Sequence, residues 1–430
     1  MTLQPASANS RRRTDWRTDV RVVAALSMAL VMIGVAAEGR TSGEDWLGWR
    51  GPRRSGVSGE GSGREKWSAT EGVKWKASLP GGGIASPIVT GHRVIVATSD
   101  GPKQSDLHLL AFDRDTGNPL WHRRFWGTAP TLFHAAKGGM ASPTPVSDGK
   151  NVYAFYGTGD VFCLDLDGGL RWHRSLASEY GPFENRFGHT SSPLVVDDLL
   201  VVQCDHYGES YLIALDVRTG ANRWKVDRPG VWHSWASPQL VDSASGPELI
   251  VCSSEVVEAF APRTGEKLWT VKGMQRECIP TPVVGDGLLY AVSGPKGKTF
   301  AIQPGGRGDV TESHVRWQSN RGGPFVPSPI LVGGLFYLVD DQGIATCLDA
   351  KNGDRVWQKR LPGEYTASPI AVGDRIYFFN EAGDTIVLRA GTRQFEQLAR
   401  NPLEEPIYAT PAFSAGKLFI RTSKNLVCIE

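Results

Sequence analysis

The sequence predicts an all-β protein, an eight-bladed β-propeller of four-stranded antiparallel blades. The first observation is composition: the 430 residues include 50 Gly and 14 Trp, and short apolar segments alternate with turn residues, as is typical of all-β structure. The second is a repeat of eight Ser-Pro or Thr-Pro pairs, each followed by a short apolar strand. The pairs begin at Ser86, Ser142, Ser192, Ser237, Thr281, Ser328, Ser368 and Thr410. Their spacing of 40 to 56 residues is that of propeller blades.

Each repeat predicts four strands in a constant order. After the Pro come an apolar strand, a polar turn such as "VGDR", a second strand such as "IYFF" and a third of the "LIALD" kind. A turn with Gly then leads to a strand that carries Trp four residues after the Gly, as in "DVRTGANRW". Gly supplies the positive φ that such a turn requires. Because the Trp recurs from blade to blade, we interpret it as packing between blades rather than as the mark of one site.

The eighth repeat is incomplete, since the chain ends after its third strand in "NLVCIE". A segment with the character of a fourth strand, "VKWKASL" at Val73–Leu79, stands before the first repeat. We predict that the ring closes by pairing Val73–Leu79 with the C-terminal strand around Leu426–Ile429, which removes an exposed sheet edge. The propeller is therefore expected to span residues 73–430.

Residues 1–37 are predicted to be an export signal. They combine an Arg-rich start, the apolar run "VVAALSMALVMIGVAA" and small residues up to Ala37. We expect cleavage near Ala37 and a periplasmic or extracellular location. An uncleaved anchor is the alternative, and the shortness of the run for a spanning helix argues against it. No other stretch could cross a membrane, so no integral membrane domain is expected. Without residues 1–37 the chain has 42 basic and 43 acidic residues, which gives no electrostatic basis for binding nucleic acid.

The repeats resemble a known family. Ala214–Trp224, "ALDVRTGANRW", is similar to the "ALD-xx-TG-xxx-W" repeat of the pyrroloquinoline-quinone (PQQ) repeat propellers of the quinoprotein alcohol dehydrogenase-like superfamily, and other blades match more loosely. The resemblance covers about residues 73–430 and implies the propeller fold. It implies no single function, because PQQ-dependent dehydrogenases, the outer-membrane assembly lipoprotein of the BamB type and many exported proteins of unknown role share these repeats.

Residues 38–72 form a predicted N-terminal extension before the propeller. Within it, "DWLGWRGPRRSGVS" at 45–58 resembles the segment that precedes the propeller in exported planctomycete proteins of this kind. We expect the extension to lie on the propeller as a strap, held through Trp46 and Trp49.

The sequence offers no metal or cofactor motif. It lacks CxxC, CxxCH, HExxH and a D-x-D-x-D calcium loop. Three of the six cysteines, Cys163, Cys347 and Cys428, occupy a repeat position where other blades have Ala, so we interpret them as packing residues and expect all six thiols to stay reduced. The resemblance implies that a dehydrogenase of this family would hold PQQ with Ca²⁺ through carboxylates and an amide. No matching residue set is found, and no cofactor is predicted.

Propeller topology places the fourth-to-first and second-to-third connections on one face, which we call the variable-loop face, and the short uniform turns on the other. Binding sites of propellers lie where variable loops converge around the channel. The candidate ligand-binding residues on this face are Lys137, His189, Asp205, His206, His233, Trp235, Arg276, Glu277 and Tyr365. We predict that a ligand docks over the channel mouth, with Trp235 and Tyr365 as aromatic surfaces and Arg276 as an anion-facing donor.

These observations favour an exported, non-catalytic, monomeric propeller that binds a protein or small molecule at the channel mouth. A PQQ-dependent dehydrogenase is the alternative, and a hydrolase or lyase using His189 and His233 is a third possibility. The nucleophile motif GxSxG is missing. The identity of the ligand stays open.

Overall fold

The computed structural model describes residues 45–134, 137–294, 297–320 and 323–430. The predicted export signal at residues 1–37 lies outside these ranges, as does the start of the predicted extension. The described chain forms eight sheets, each with four antiparallel strands, arranged as the blades of a propeller. The predicted fold class is therefore confirmed.

We number the blades in chain order and give their strands from the channel outward. Blade 1 consists of Ile88–Thr90, Arg93–Asp100, Asp106–Asp113 and Pro119–Trp126, and blade 2 of Val146–Ser147, Asn151–Phe155, Asp160–Asp165 and Leu170–Ser175. Blade 3 consists of Leu194–Val196, Leu199–Cys204, Tyr211–Asp216 and Asn222–Asp227, and blade 4 of Gln239–Ser243, Gly246–Ser253, Val256–Phe260 and Lys267–Lys272. Blade 5 consists of Val283–Gly285, Leu288–Ser293, Lys298–Ile302 and Val315–Ser319, and blade 6 of Ile330–Val332, Leu335–Val339, Ile344–Asp349 and Arg355–Arg360. Blade 7 consists of Ile370–Val372, Arg375–Phe379, Asp384–Arg389 and Gln397–Pro402, and blade 8 of Ala412–Ser414, Lys417–Arg421, Asn425–Ile429 and Val73–Ser78.

A few short elements complete the described chain. The strand Gly308–Asp309 adds to blade 4, the α-helices are Leu176–Tyr180 and Thr311–His314, and Pro102–Gln104 is a 3-10 turn. No helix among the described residues has the length and apolar character that crossing a membrane requires.

The hydrophobic core lies between neighbouring blades. Leu199–Cys204 is buried throughout, and in Tyr211–Asp216 only the last residue is half-exposed. Both strands are buried on both faces because each blade packs against two neighbours, so they read as continuous apolar runs. Outermost strands such as Leu170–Ser175 are largely exposed.

The recurrent Trp of the fourth strand packs on the turn of the next blade. Trp121 Nε1 donates to the carbonyl oxygen of Leu166 at 2.9 Å, and a Cβ added to Gly168 would lie 2.8 Å from the Trp121 ring. Gly168 also has a φ of 82°. The turn therefore requires Gly for its positive φ and for the close approach of the indole ring. The interpretation of these Trp residues as packing between blades is confirmed.

The ring closes with strands from the two ends of the propeller. Val73–Ser78 pairs antiparallel with Asn425–Ile429, with Trp75 opposite Cys428, and forms the outermost strand of blade 8. Trp75 is buried, and its Nε1 donates to the carbonyl oxygen of Arg114 in blade 1 at 3.0 Å. The first strand of the propeller thus completes the last blade and leaves that blade no unpaired inner edge.

Hydrogen bonds between Ser and Thr residues join the innermost strands around the channel. At seven junctions the backbone N–H of one residue donates to the side-chain oxygen of the next, at 2.9–3.2 Å. The series runs through Ser86, Thr144, Ser192, Ser237, Thr281, Ser328, Ser368 and Thr410. In blade 2 the participating residue is Thr144, which precedes the second Pro, and not Ser142, at which the Ser-Pro repeat was counted. The strand there begins after the second Pro of "SPTP", at Val146.

The junction between blades 8 and 1 differs from the other seven. Ser86 Oγ has no hydrogen-bond partner among the described residues. Arg421 is buried there and donates to the carbonyl oxygens of Gly82, Ala85 and Ala97 at 2.8–2.9 Å. Burial lowers the pKa of Arg421 to about 9. A buried guanidinium group therefore connects the blades where the series of hydroxyl groups ends.

Residues 45–72 cross the face that carries the uniform turns. Trp46, 1% exposed, forms two backbone hydrogen bonds of 2.9 Å with Val89. Further along, Val57–Ser58 adds a short parallel strand to Ile370–Val372 of blade 7. Between them, Arg54 Nη2 donates to the carbonyl oxygen of Val195 in blade 3 at 3.0 Å. Because these contacts reach blades 1, 3 and 7, the segment lies on the propeller as a strap.

Candidate functional site

The central channel is closed at the end covered by the strap. Trp49 Nε1 donates to Thr281 Oγ1 at 3.0 Å, and the neighbouring Arg50 is fully buried and donates to the carbonyl oxygen of Pro329 at 2.5 Å. Burial lowers the pKa of Arg50 to about 9. A narrow cavity of about 70 Å³ remains above Trp49, lined by hydroxyl groups. A ligand would therefore reach the channel from the variable-loop face.

A larger cavity of about 360 Å³ opens at the variable-loop face, and we call it the mouth cavity. Its apolar lining consists of Ile84, Phe187, Trp235, Ile279, Phe325 and Val326. Its polar lining consists of His134, Lys137, Thr190, Glu277, Asp341 and Thr366. A concave site of this size with few polar groups on apolar walls is typical of a ligand pocket.

Three predicted site residues line the mouth cavity: Lys137, Trp235 and Glu277. Lys137 Nζ lies 2.7 Å from Glu381 Oε1, and Thr366 Oγ1 donates to the same oxygen at 2.7 Å. Although burial alone lowers it, the pKa of Lys137 is raised by Glu381. Its positive charge is therefore already paired before any ligand arrives.

Asp341 places a second carboxylate in the mouth cavity. Its Oδ2 accepts hydrogen bonds from the backbone N–H groups of Phe325 at 3.0 Å and Val326 at 3.3 Å. Burial raises the pKa of Asp341, although these hydrogen bonds and nearby Lys137 oppose the shift. The carboxylate is thus held in place by the backbone and poorly solvated.

The aromatic wall of the cavity is built from Phe187 and Trp235. Their ring centroids are 6.1 Å apart at 48°. His233, although predicted to face the channel, is 5% exposed and packs edge-on behind Trp235 at 4.8 Å. Burial lowers the pKa of His233. This residue supports the indole ring and does not line the cavity.

His189 lies in the core between blades, so its predicted position at the channel mouth was wrong. It is fully buried between Phe155 and Phe183, with ring centroids 5.1 and 5.2 Å away. Burial lowers its pKa to about 3. Neither ring nitrogen of His189 or His233 has a hydrogen-bond partner of normal geometry among the described residues. A catalytic pair of these two residues has no structural support.

Tyr365 and His206 were also assigned wrongly to the channel mouth. Tyr365 is fully buried, and its hydroxyl donates to the carbonyl oxygen of Pro362 at 3.0 Å. His206 is 2% exposed, and its Nδ1 accepts from the backbone N–H of Gly208 at 3.1 Å. Tyr365 is therefore a core residue rather than an aromatic docking surface, and His206 organises its own loop.

Asp205 is fully buried and neutralised within the protein, which contradicts its predicted role. It forms an ion pair with Arg228. Its Oδ2 accepts from Ser253 Oγ at 2.6 Å and from Gln203 Nε2 at 2.7 Å. Arg228 in turn contacts Glu258 at 2.7 Å. This network joins blades 3 and 4 and leaves Asp205 no exposed surface for a ligand.

Arg276 lies outside the mouth cavity. It is exposed, with its guanidinium carbon 4.5 Å from the centroid of the Trp232 ring and its Nε 3.6 Å from Glu255. Among the lining residues that the structure describes, the charged groups are Lys137 and two carboxylates, so the predicted anion-facing role of Arg276 does not follow from this geometry.

The register of the innermost strands explains which residues face the channel. In each blade, the residue that stands two positions before the Ser or Thr of the hydrogen-bonded series lines the channel. These residues are Ile84, Ser142, Thr190, Trp235, Ile279, Val326, Thr366 and Tyr408. His189 and Tyr365 stand three positions before, and extended chain alternates its side chains, so these two point between blades. Counting back from the series would have identified Trp235 and Thr366 from the sequence and excluded His189 and Tyr365.

Asp341 and Glu381 were missed, although a signal for them exists. Each stands in a second-to-third connection, in "DDQG" of blade 6 and "NEAG" of blade 7, and these connections lie on the variable-loop face. Only the folded structure shows that their carboxylates turn toward the channel.

The described residues include no cluster of three or more His, Cys, Asp or Glu side chains arranged to hold a metal ion. All six cysteines are unpaired and buried.

Comparison with known proteins identifies relatives for the propeller. The family model described as "Outer membrane protein assembly factor BamB" matches residues 59–246 and 253–430. A protein of that name from Moranella endobia (strain PCIT) is 24% identical over 278 residues, which are 62% of this chain and 64% of the relative. The match thus spans slightly less than two thirds of that relative's length.

Two solved structures share the fold at low sequence identity. BamB from Moraxella catarrhalis has a TM-score of 0.58 and 15% identity, covering 83% of this chain and 97% of that one. A europium-containing methanol dehydrogenase has a TM-score of 0.67 and 13% identity, covering 90% of each chain. Identities this low show shared architecture and not shared activity. Because the family model matches well over half of the sequence, this chain belongs to the family of PQQ-repeat propellers described as outer membrane protein assembly factor BamB.

Proposed function

We propose that this chain is an exported, monomeric, non-catalytic propeller that binds or scaffolds proteins during outer-membrane protein assembly. The family and the name of the curated relative support this class of function. The partner docks on the variable-loop face, over the mouth cavity. The observation that carries the proposal is the asymmetry of the two faces: the strap occupies one, and the other exposes apolar side chains around an open cavity.

Four large apolar side chains are exposed on the variable-loop face. Leu132 is 70% exposed, Tyr207 and Trp232 47% each, and Phe187 39%. Arg276 covers the Trp232 ring at 4.5 Å in a cation–π contact. Tyr, Trp and Arg are the side chains that most often dominate the free energy of protein interfaces. These residues therefore supply the kind of anchors that a protein partner needs.

The alternative, a PQQ-dependent dehydrogenase, is not favoured by the charges at the channel mouth. PQQ carries three carboxylates, which would meet those of Glu277 and Asp341 in the cavity. Lys137 is the sole Lys or Arg in the described lining, and Glu381 already neutralises it. We therefore propose no cofactor for this site. Titration of the protein with PQQ and Ca²⁺ in a dye-linked alcohol assay tests this, and turnover of the alcohol would overturn it.

Photo-crosslinking in the native cell envelope tests the docking face. A photoreactive phenylalanine analogue at Trp232 is expected to crosslink to a component of the outer-membrane assembly machinery, identified by mass spectrometry. The same analogue at Lys351, an exposed turn residue on the strap-covered face, is the matched control and is expected to give no such product.

Substitutions provide the quantitative arm of this experiment. Trp235→Ala and Arg276→Ala should each weaken binding of the captured partner by about 1–3 kcal/mol, whereas Lys351→Glu should leave it unchanged. Equal crosslinking from position 351, or capture of no assembly component from position 232, would contradict the proposed docking face.

A further inference from the structure

We propose that the mouth cavity is a binding site for an organic cation, namely an alkylammonium or guanidinium group on an apolar stem. The proposal rests on the function proposed above, since it names the chemistry recognised at the same open end of the channel. A lysine or arginine side chain of a partner and a free small amine share this chemistry.

The walls of the cavity suit the apolar stem. Phe187, Trp235 and Phe325 line it, and the first two rings are tilted by 48° at 6.1 Å, which leaves a concave aromatic surface. Aromatic faces attract cations through the ring quadrupole as well as by burying methylene groups. The volume of about 360 Å³ lies at the lower end of the ligand-pocket range, which fits one long side chain or a small amine.

The charges of the cavity favour a cation. Lys137 and Glu381 neutralise each other at 2.7 Å, so their pair contributes little net field. The carboxylates of Glu277 and Asp341 remain in the lining. Glu277 makes no side-chain hydrogen bond or ion pair of normal geometry with the described part of the chain, and its carboxylate is free to receive a ligand. A cation in the cavity would gain a charge-assisted hydrogen bond with either carboxylate that it contacts.

Asp341 is arranged as a preformed acceptor. Its Oδ2 is occupied by the backbone N–H groups of Phe325 and Val326, so the orientation of the carboxylate is set before a ligand arrives. Burial raises its pKa, which means that the ionised form lacks full solvation in the free protein. Lys137 lies nearby, and a bound ammonium or guanidinium group would supply a positive partner in direct contact.

Calorimetric titration of the full chain with matched probes tests the proposal. N-acetyl-lysine methylamide, N-acetyl-arginine methylamide and pentane-1,5-diamine provide the cation. Hexanoate and the ε-acetylated lysine amide keep an apolar stem without the positive charge, hexanoate carrying a carboxylate in its place and the acetylated amide being neutral. The cationic probes are expected to bind and the other two are not. Tighter binding of the amino-acid amides indicates a partner side chain as the source, and tighter binding of the diamine indicates a free amine.

Variants locate the binding to the cavity. Asp341→Asn retains an oxygen that can accept from Phe325 and Val326, so the loop is expected to keep its conformation while affinity falls about tenfold. Glu277→Gln should have a similar effect. Glu255→Gln, which removes an exposed carboxylate outside the cavity, is the matched control and should leave affinity unchanged. Affinity should also fall on acidification through the pKa of Asp341, and this dependence should weaken in Asp341→Asn.

Several outcomes would overturn the proposal. These are absence of binding by all cationic probes, binding of hexanoate with equal affinity, or an unchanged affinity in both Asp341→Asn and Glu277→Gln. Crosslinking from position 232 to an assembly component is independent of these results, so failure of cation binding is distinguishable from failure of the proposed function.

Discussion

Lys137 and Glu381 are 244 positions apart in the sequence, yet Lys137 Nζ lies 2.7 Å from Glu381 Oε1. Lys137 belongs to the connection that enters blade 2, and Glu381 to the second-to-third connection of blade 7. The ion pair therefore joins loops on different sides of the channel mouth.

We predict that this pair stabilises the arrangement of the mouth loops. A double-mutant cycle with Lys137→Met and Glu381→Gln, measured by denaturant unfolding, should give a coupling free energy of about 1 kcal/mol, since the pair is half-buried and shielded from salt only in part. The exposed pair Arg263 and Asp197, also at 2.7 Å, is the control and should give coupling near zero. Equal coupling in both pairs would contradict the prediction.

The closing strand should be required for stability. Trp75 is buried on the turn of blade 1, so Trp75→Ala should lower the free energy of unfolding by about 3–5 kcal/mol. Trp126→Ala, which truncates a Trp that is 67% exposed, is the control and should have little effect. Deleting residues 73–79 should lower the melting temperature and cause aggregation through the exposed strand edge. A deletion variant that melted like the parent and stayed monomeric would show that the closure is dispensable.

His189 should make the protein less stable at acidic pH. Burial lowers its pKa to about 3, so between about pH 6.5 and 3 the unfolded state binds a proton that the folded state does not. The free energy of unfolding should therefore fall as the pH decreases through this window. His189→Phe replaces a ring between Phe155 and Phe183 and removes the proton site.

Urea unfolding of wild type and His189→Phe at pH 7 and pH 4 tests this prediction. At pH 7 the two should differ little, and at pH 4 the variant should gain up to about 3 kcal/mol relative to wild type. The same pH dependence in both proteins would show that other groups control acid stability. His206 and His233, whose pKa values burial also lowers, contribute to the dependence that remains in the variant, together with carboxyl groups whose pKa values are lowered, such as Glu405.

All six thiols should be free in the purified protein, because every cysteine is buried and unpaired. Titration with a thiol reagent in denaturant, without reductant, should detect all of them. A hydrogen bond with Cys252, and after it burial, raises the pKa of the Cys278 thiol, so these two thiols are neighbours. Should two thiols be missing, we expect Cys252 and Cys278 to be the pair, so that Cys278→Ser should show all five of its thiols reactive; a pair of Cys252 with another cysteine would leave only three.

Most of the fold could be predicted because its information is local and repeated. Gly168 and Trp121 show the reason. The turn of blade 2 needs Gly168, and the Trp121 ring that covers this Gly comes from blade 1. Each repeat therefore encodes both a strand order and the contact with its neighbour. The sequence also shows that "VKWKASL" stands before the first repeat without a blade of its own, and that the last repeat lacks its fourth strand.

The candidate site was harder to predict, because loop side chains converge from blades that are distant in the sequence. His189 and Thr190 are adjacent, yet His189 lies in the core between blades and Thr190 lines the channel. The difference of one position in an extended chain decides the direction of the side chain. Asp341 and Glu381 carry no motif, since an acidic residue in a turn is common and usually solvated.

The sequence by itself determined the class of structure, the number of blades, the strand that closes the ring and the face with variable loops. These follow from periodic apolar patterns and turn residues, which depend on neighbours a few positions away. Only the tertiary structure decided that Trp49 closes one end of the channel and that Lys137 is neutralised across the mouth by Glu381. Such relationships depend on the three-dimensional closure of the ring, which brings together loops hundreds of residues apart and sets the charge that a ligand meets.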